Sequence, residues 1–235
     1  DVPVAVARTV PDWGGTLPVK EIGTLTEDML ASAKHAIYIE AQYFTASNVR
    51  RLLMKSLAAK HGPEIVAIVR RSSPGLLERF VMGANRDRFI RHIRRADRHN
   101  RFRAYYPIVE GRNGPCEVLV HSKVLIVDDE VMRIGSSNLS NRSIGLDTEC
   151  DLAIEAVDDA HRLRIAGCRN RLLAEHLNVT SDAVAGAVAK HGSLIRGIET
   201  LNHGGRGLRP FAETNLDGPT EPISATAIMD PQQPL

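Results

Sequence analysis

The chain has 235 residues, 25 % charged and 43 % hydrophobic, enough for one substantial core in one or two domains and ordinary for a soluble globular protein. A formal net charge of +2 argues neither for nor against nucleic acid, although a dedicated DNA-binding domain is usually more basic, and no apolar run approaches the ~18 residues that span a bilayer. Cys116, Cys150 and Cys168 are odd in number and lack C-x-x-C spacing, which indicates neither a disulfide framework nor a zinc site and suits a reducing compartment, cytoplasmic or peripheral to a membrane, with no signal peptide opening the sequence.

In chain order, Val2–Val10 predicts an opening strand, followed by a loop that carries the only tryptophan, Trp13. A helix is expected over Thr24–Lys34 and a strand over Ile37–Phe44. A second helix should start at Ser47 or Asn48 as N-cap, bury Leu52, Leu53 and Leu57, and stop at Gly62. Ile65–Val69 predicts a buried strand. Gly75–His99 predicts a long helix with an inward stripe of Phe89, Ile90 and Ile93. Between Arg86 and Arg103 there are eight arginines, either a basic face for anionic lipid or nucleic acid or a solvated face balanced by Asp87 and Asp97.

Phe102–Pro107 reads as a strand and Val109–Cys116, rich in Gly, Asn and Pro, as a loop. Glu117–His121, Lys123–Asp128, Val131–Ile134 and Thr148–Ile154 read as strands, with Asp128-Asp129-Glu130 as a hairpin turn. Helices are predicted over Ala160–His176, Ser181–His191 and Ser193–Asn202, the last two opened by serine caps and the middle one closed by Gly192. Gly204-Gly205-Arg206-Gly207 neither follows a strand nor opens a helix, so it is no phosphate cradle. The alternation of strands and helices predicts an α/β fold, a layered α/β/α sandwich forming one lobe over residues 1–211. Residues 212–235, rich in Pro, Thr, Glu and Asp, form a tail expected to be extended or disordered.

The strongest signal lies between His121 and Asn138, which fits H-x-K-x₄-D-x₆-G-S-x-N at every fixed position. Alternation along a strand turns His121 and Lys123 toward one side, and Gly135 and Ser136 end the neighbouring strand, where a missing Cβ lets backbone approach a ligand. An imidazole titrating near neutrality, an ammonium and the carboxamide of Asn138 are the groups needed to bind a phosphodiester and break it without a metal. An imidazole used as nucleophile needs its second nitrogen held by an acceptor, and Glu149 is the candidate. Asp128, at the turn, is expected to make backbone hydrogen bonds rather than touch substrate. Each of these residues alone is ordinary, a surface histidine, a solvated lysine or a turn; their joint spacing is not.

These residues resemble the signature of the phospholipase D superfamily. Ile37-Tyr38-Ile39-Glu40-Ala41-Gln42-Tyr43-Phe44 is similar to the strand preceding the second signature of two-motif phospholipases, and Asn141-Arg142-Ser143 and Thr148-Glu149 are similar to the stretch after it. The resemblance implies a phospholipase D-like lobe that uses no cofactor. It hydrolyses phospholipid phosphodiesters or transfers the phosphatidyl group through a phosphohistidine. In that scheme His121 is nucleophile or general acid, Lys123 and Asn138 bind phosphoryl oxygens, Ser136 and Gly135 support the phosphate side, and Glu149 orients His121. Gln42 faces the cleft. Trp13 either lines it near the lipid head group or packs on the sheet edge.

None of the other eight histidines is followed by x-Lys, so this sequence carries one half-site. The resemblance implies that a second one completes it, from the N-terminal half of a longer chain, which the missing initial Met favours, or from a homodimer partner. Phospholipid is the expected substrate, with peripheral membrane contact. A metal-independent endonuclease and a non-catalytic half-domain that completes another subunit are the alternatives.

Overall fold

The computed structural model describes residues 2–12, 15, 17–71, 76–211 and 230–231, with the backbone alone for 76–82. Trp13, and the tail other than Asp230 and Pro231, lie outside the described residues.

Two largely apolar runs make the centre. β3 (Ala36–Ala41) and β4 (Glu64–Val69) are buried at every position after the first, as suits strands covered on both faces. They pair in parallel, and β5 (Phe102–Gly111) lies parallel on the far side of β4. The connections are helical, α2 (Ser47–Ala58) between β3 and β4 and α3 (Leu76–Ala96) between β4 and β5. On the other flank of β3 the sheet turns antiparallel through β7 (Val124–Val127), β8 (Val131–Gly135), β9 (Glu149–Glu155), β1 (Val4–Val10) and the short β2 (Val19–Lys20). β6 (Gly114–Glu117) and β10 (Gly207–Pro210) both pair with β5.

Alternation along the central strands divides their side chains between two cores. Ile37, Ile39 and Ala41 pack with Met29 of α1 (Glu21–Ser32), Leu53 and Ile90. Tyr38, Val66 and Ile68 pack with Ile165 and Leu173 of α5 (Asp159–Leu177), Val184 of α6 (Ser181–His191) and Ile198 of α7 (Leu194–Leu201). The result is the expected three layers, α/β/α, around a mixed sheet. Past β7 the second helical layer thins. Met132 still reaches it, but Ile134, Leu152 and Val6, opposite one another in register on β8, β9 and β1, are 44 %, 43 % and 58 % exposed. Among the described residues no helix is long and apolar enough to cross a membrane.

Several elements differ from the sequence expectation, each for a tertiary reason. Ser47 is not a cap but lies inside α2, after Ala46, and its N–H is taken by Asn141 Oδ1 at 3.0 Å. α2 ends at Ala58, before Gly62, because the Arg101 guanidinium collects the carbonyls of Ser56, Leu57 and Ala59. Thr180, not Ser181, caps α6, whereas Ser193 caps α7 and Gly192 closes α6 with φ +57° as expected. The predicted loop 109–116 is a hairpin: β5 runs on to Gly111 and β6 starts at Gly114 (φ +108°), where Pro115 is tolerated because β6 is an edge strand. The strand expected over Glu117–His121 stops at Glu117, so residues 118–123 reach β7 as irregular chain.

The arginines after residue 85 largely serve the chain itself. Arg86 donates to the carbonyls of Arg70 and Arg71 and to Asp87, Arg94 to the Phe211 carbonyl at 2.8 Å, and Arg103 to Glu199 at 2.9 Å. This favours the structural over the ligand-binding reading of that helix.

Asp128 fixes the join between the two halves of the sheet. Its carboxylate accepts the N–H groups of Lys34, His35 and Ala36 at 2.7, 2.8 and 2.7 Å, and with Asp129 it forms the positive-φ turn (φ +54° and +57°) that connects β7 to β8. It therefore ties that turn to the start of β3. Asp128→Ala should cost about 2–4 kcal/mol, as hydrogen bonds to a charged group are lost. At roughly 2–4 °C per kcal/mol for a domain of this size, thermal denaturation should show the midpoint falling by roughly 5–15 °C, with turnover per folded molecule little changed.

Candidate active site

The sheet topology gathers the signature at one end. Because β7 runs antiparallel to β3, its start lies beside the end of β3, with Glu40 opposite Val124. The end of β8 returns to the same place, Val124 opposite Ile134, and the start of β9 joins it, Gly135 opposite Asp151. Side chains far apart in sequence thereby share one rim.

Lys123 is 8 % exposed and its ammonium donates to Gln42 Oε1 at 3.3 Å and to the His121 carbonyl at 2.7 Å. Burial pulls its pKa below the usual lysine value, and the negative charge of Glu149 opposes that shift. Asn138 is buried, with Oδ1 accepting the Tyr43 N–H at 3.1 Å, which assigns the amide orientation. Its Nδ2 has no partner among the described residues and is a neutral donor available to an anion. His121 is exposed, and among the described residues its ring has no hydrogen-bond or ion-pair partner.

The Gly135-Ser136-Ser137-Asn138 turn is pinned from β9. The Asp151 carboxylate, 1 % exposed, accepts the Ser137 N–H at 3.0 Å and the Ser137 hydroxyl, and faces the buried Arg133 guanidinium at 3.4 Å. Gly135 permits that approach: a Cβ there would sit 2.2 Å from Asp151 Oδ1 and 2.5 Å from the Cys150 carbonyl oxygen. From the other side the Leu139 carbonyl accepts the N–H groups of Thr45 and Ala46 at 2.8 and 2.9 Å, strapping the turn to the chain that leaves β3. Asp230, also buried, binds the Thr45 hydroxyl at 2.6 Å and the Arg142 N–H at 3.0 Å just behind.

The structure thus brings Lys123, Gln42, Asn138 and the backbone of His121 together, with Gly135 and Ser136 at the adjoining strand end. Glu149 accepts the hydroxyl of Ser136, and no hydrogen bond joins it to the His121 ring. Asp128 lies at the opposite end of β7. A small cleft beside Gln42 is lined by Tyr43, Thr45, Arg70 and Arg86. The larger cleft, about 320 Å³, lies elsewhere, between Gly23, Glu27, Asn48 and Asn141, and includes none of these groups. Among the described residues no three His, Cys, Asp or Glu side chains group as metal ligands would.

Sequence reasoning missed a buried network behind the signature. Glu40, 3 % exposed, accepts the Tyr38 hydroxyl, His176 Nε2 at 2.9 Å and the Ser122 hydroxyl. Burial alone would raise the Glu40 pKa; the hydrogen bonds and charge of His176, with those of Ser122 and Tyr38, outweigh it and hold the carboxyl below its usual value. The sequence signal was a lone acid inside an apolar strand run, and Arg133 and Asp151 carry the same mark.

The family described as "Cardiolipin synthase, PLD-like domain" matches residues 27–165. The chain is 37 % identical over 75 residues to phospholipase D alpha 3 of Arabidopsis thaliana and 36 % identical over 75 residues to phospholipase D alpha 1 of Spuriopimpinella brachycarpa. These matches cover 28 % and 29 % of this chain but 9 % of each relative, so the similarity spans a small part of those longer proteins. The fold is similar to that of the phospholipase D family member Nuc from Salmonella typhimurium, with TM-score 0.50, 18 % identity, and 73 % of this chain and 95 % of that one covered. It is also similar to phosphatidylserine synthase of Haemophilus influenzae Rd KW20, with TM-score 0.52, 16 % identity, and 80 % and 45 % covered. At those identities the likeness is one of fold.

Since the Glu40 carboxyl is held below the ordinary glutamate value of 4.5, the unfolded state takes up its proton first as pH falls. The stability it contributes is complete above that value and is lost as pH drops through the folded one. Wild type should therefore melt above Glu40→Gln at neutral pH, and the gap should narrow steadily below pH 4.5 in melting curves taken across acidic buffers.

Proposed function

Because the chain belongs to the phospholipase D superfamily of phosphodiesterases and phosphatidyltransferases, we propose that it supplies one half-site of an enzyme that cleaves glycerophospholipid phosphodiesters, by hydrolysis or by phosphatidyl transfer. One observation carries the reading: Asn138 and the segment bearing His121 and Lys123, from two parts of the chain, meet beside Gln42 and Tyr43 at one end of the sheet. The partial identity to plant phospholipases D supports the choice of lipid over other phosphodiesters.

In this reading the Lys123 ammonium and Asn138 Nδ2 bind non-bridging phosphoryl oxygens and stabilise the charge that grows on them. His121 is one of two imidazoles. One attacks phosphorus, making a P–N bond as the P–O bond to the leaving alcohol breaks, and the other gives that oxygen its proton. Water or an acceptor alcohol then attacks the phosphohistidine, its proton passes to the second imidazole, and the first is regenerated. Exposure of His121 fits a ring that awaits a second half-site to close over it. A second lobe bearing the other motif would seat on the uncovered row Ile134, Leu152 and Val6, which crosses β8, β9 and β1 starting two residues before Ser136.

With the full-length protein and short-chain phosphatidylcholine, His121→Ala should lower head-group release by at least ~10²-fold. Release from no phospholipid, together with cleavage of DNA, would replace the lipid reading by the endonuclease one. Leu152→Glu, a charge placed on the exposed row, should also lower turnover by separating the half-sites. Full turnover in that variant would remove the row as the seat.

A further inference from the structure

The irregular segment 118–123 holds two of the site's groups yet belongs to no strand. Its fixed points are few: the Val118 N–H on the Pro107 carbonyl at 2.9 Å, the buried Val120 side chain, Ser122, whose hydroxyl reaches into the core to Glu40 Oε2, and Lys123, whose carbonyl accepts the Gly135 N–H at 3.3 Å and whose ammonium reaches Gln42. Ser122 stands between His121 and Lys123, so whatever fixes its backbone fixes both neighbours.

We propose that Glu40 is the positioning residue of this site and that it acts through the hydroxyl of Ser122. The inference rests on reading the site as one that cleaves phosphodiesters. Glu40 Oε1 is engaged by the scaffold alone, by Tyr38 two residues away on β3 and by His176 from α5. Since a carboxylate only accepts, His176 must carry its proton on Nε2. These two donors hold the carboxylate rigid whether or not the signature segment is in place. Oε2 is offered to Ser122, and no other hydrogen bond reaches it from a described residue.

A carboxylate this deeply buried is costly unless its oxygens are satisfied. What the carboxylate provides is a stiff, charge-strengthened hydrogen bond to one residue of a segment that no strand ladder holds. Catalytic groups need placement to within about 0.5 Å, and an error of about 1 Å can cost ~10²-fold in rate. A hydroxyl fixed to a buried, doubly braced carboxylate meets that demand without touching substrate.

The test compares wild type, Ser122→Ala, Ser122→Thr, Glu40→Gln, the Ser122→Ala/Glu40→Gln pair and His121→Ala in the full-length protein. It measures kcat and KM on bis(p-nitrophenyl) phosphate and on short-chain phosphatidylcholine, with melting temperatures alongside. The expected result is a kcat, measured well below the melting transition, about 10- to 100-fold lower for Ser122→Ala, with KM within about twofold of wild type; the melting temperature should fall by only a few degrees, because Glu40 Oε2 loses its one hydrogen bond from a described residue. Ser122→Thr, which keeps the hydroxyl, should recover most of the loss. Because the two residues act as one unit, the pair should lose no more than the worse single variant. A Ser122→Ala enzyme with wild-type kcat, a failure of threonine to rescue, or losses that multiply in the pair would overturn the proposal. If His121→Ala also keeps full turnover on both substrates, it is the site reading itself that fails; if His121→Ala is inactive while Ser122→Ala is not, only the role of Glu40 is lost.

Discussion

The antiparallel pairing of β7 against β3 is the constraint on which the rest of the lobe depends. β3, β4 and β5 are parallel, and their ends face the same way; had β7 joined them in parallel, its start, with His121 and Lys123 before it, would lie at the opposite end of the sheet from Gln42. Reversed, it brings Lys123 to Gln42 and its carbonyl to the Gly135 N–H at 3.3 Å. The meander then carries β8 out and β9 back to the same rim. This is where ligands gather in mixed sheets, beyond the carboxyl ends of parallel strands.

Charged groups beside that pairing set its register as well as adding to its stability. Asp128 at one end of β7 and Asp151 at the end of β8 both spend their lone pairs largely on backbone or hydroxyl donors of another element. Apolar burial on both faces of β3 and β4 accounts for the cohesion of the layers, and it is indifferent to small slips. A carboxylate that must find two or three donors at hydrogen-bond distance is not, because each unmet donor or acceptor in the interior costs about 1–3 kcal/mol. Register therefore rests on the acids and cohesion on the aliphatics.

That division explains what the sequence could and could not convey. Elements defined by apolar runs or apolar spacing, β4, β7 and α5, were legible to within a residue, and β3 at its start though it ends three residues early, as was the three-layer architecture that follows from their alternation. The signature residues were legible as a set because their spacing is rigid. Contacts set by long-range acceptors were not. Nothing local announces that the N–H of Ser47 is met by Asn141, or that Arg101 stops α2 by taking two of its last carbonyls and that of Ala59 just beyond. Pro115 argued for a loop only because its strand's edge position was not visible. Glu149 shows the same limit: a strand-borne acid at the right distance along the chain suggests a partner for His121, but its carboxylate meets the nearer hydroxyl of Ser136.

The position of Glu149 bears on how a half-site behaves before it is completed. Ser136 has a second acceptor, the Cys150 carbonyl at 3.5 Å, and itself accepts the Cys150 N–H at 3.0 Å, so it keeps its place on β9 without the carboxylate. Glu149 is only partly buried and its negative charge already reaches Lys123 and Arg133, so rotating it toward an imidazole strips no other buried group of its only partner. The His121 ring is exposed and free to turn. Closure of a second lobe over the rim would remove water from both groups, and desolvation strengthens a carboxylate–imidazole hydrogen bond far more than it strengthens one to a serine hydroxyl. Under the proposed function, the open half-site would thus have the groups proposed to bind phosphate set in the sheet and the proposed reacting group unset, and the same event that completes the pocket would supply the reason for the imidazole to lock.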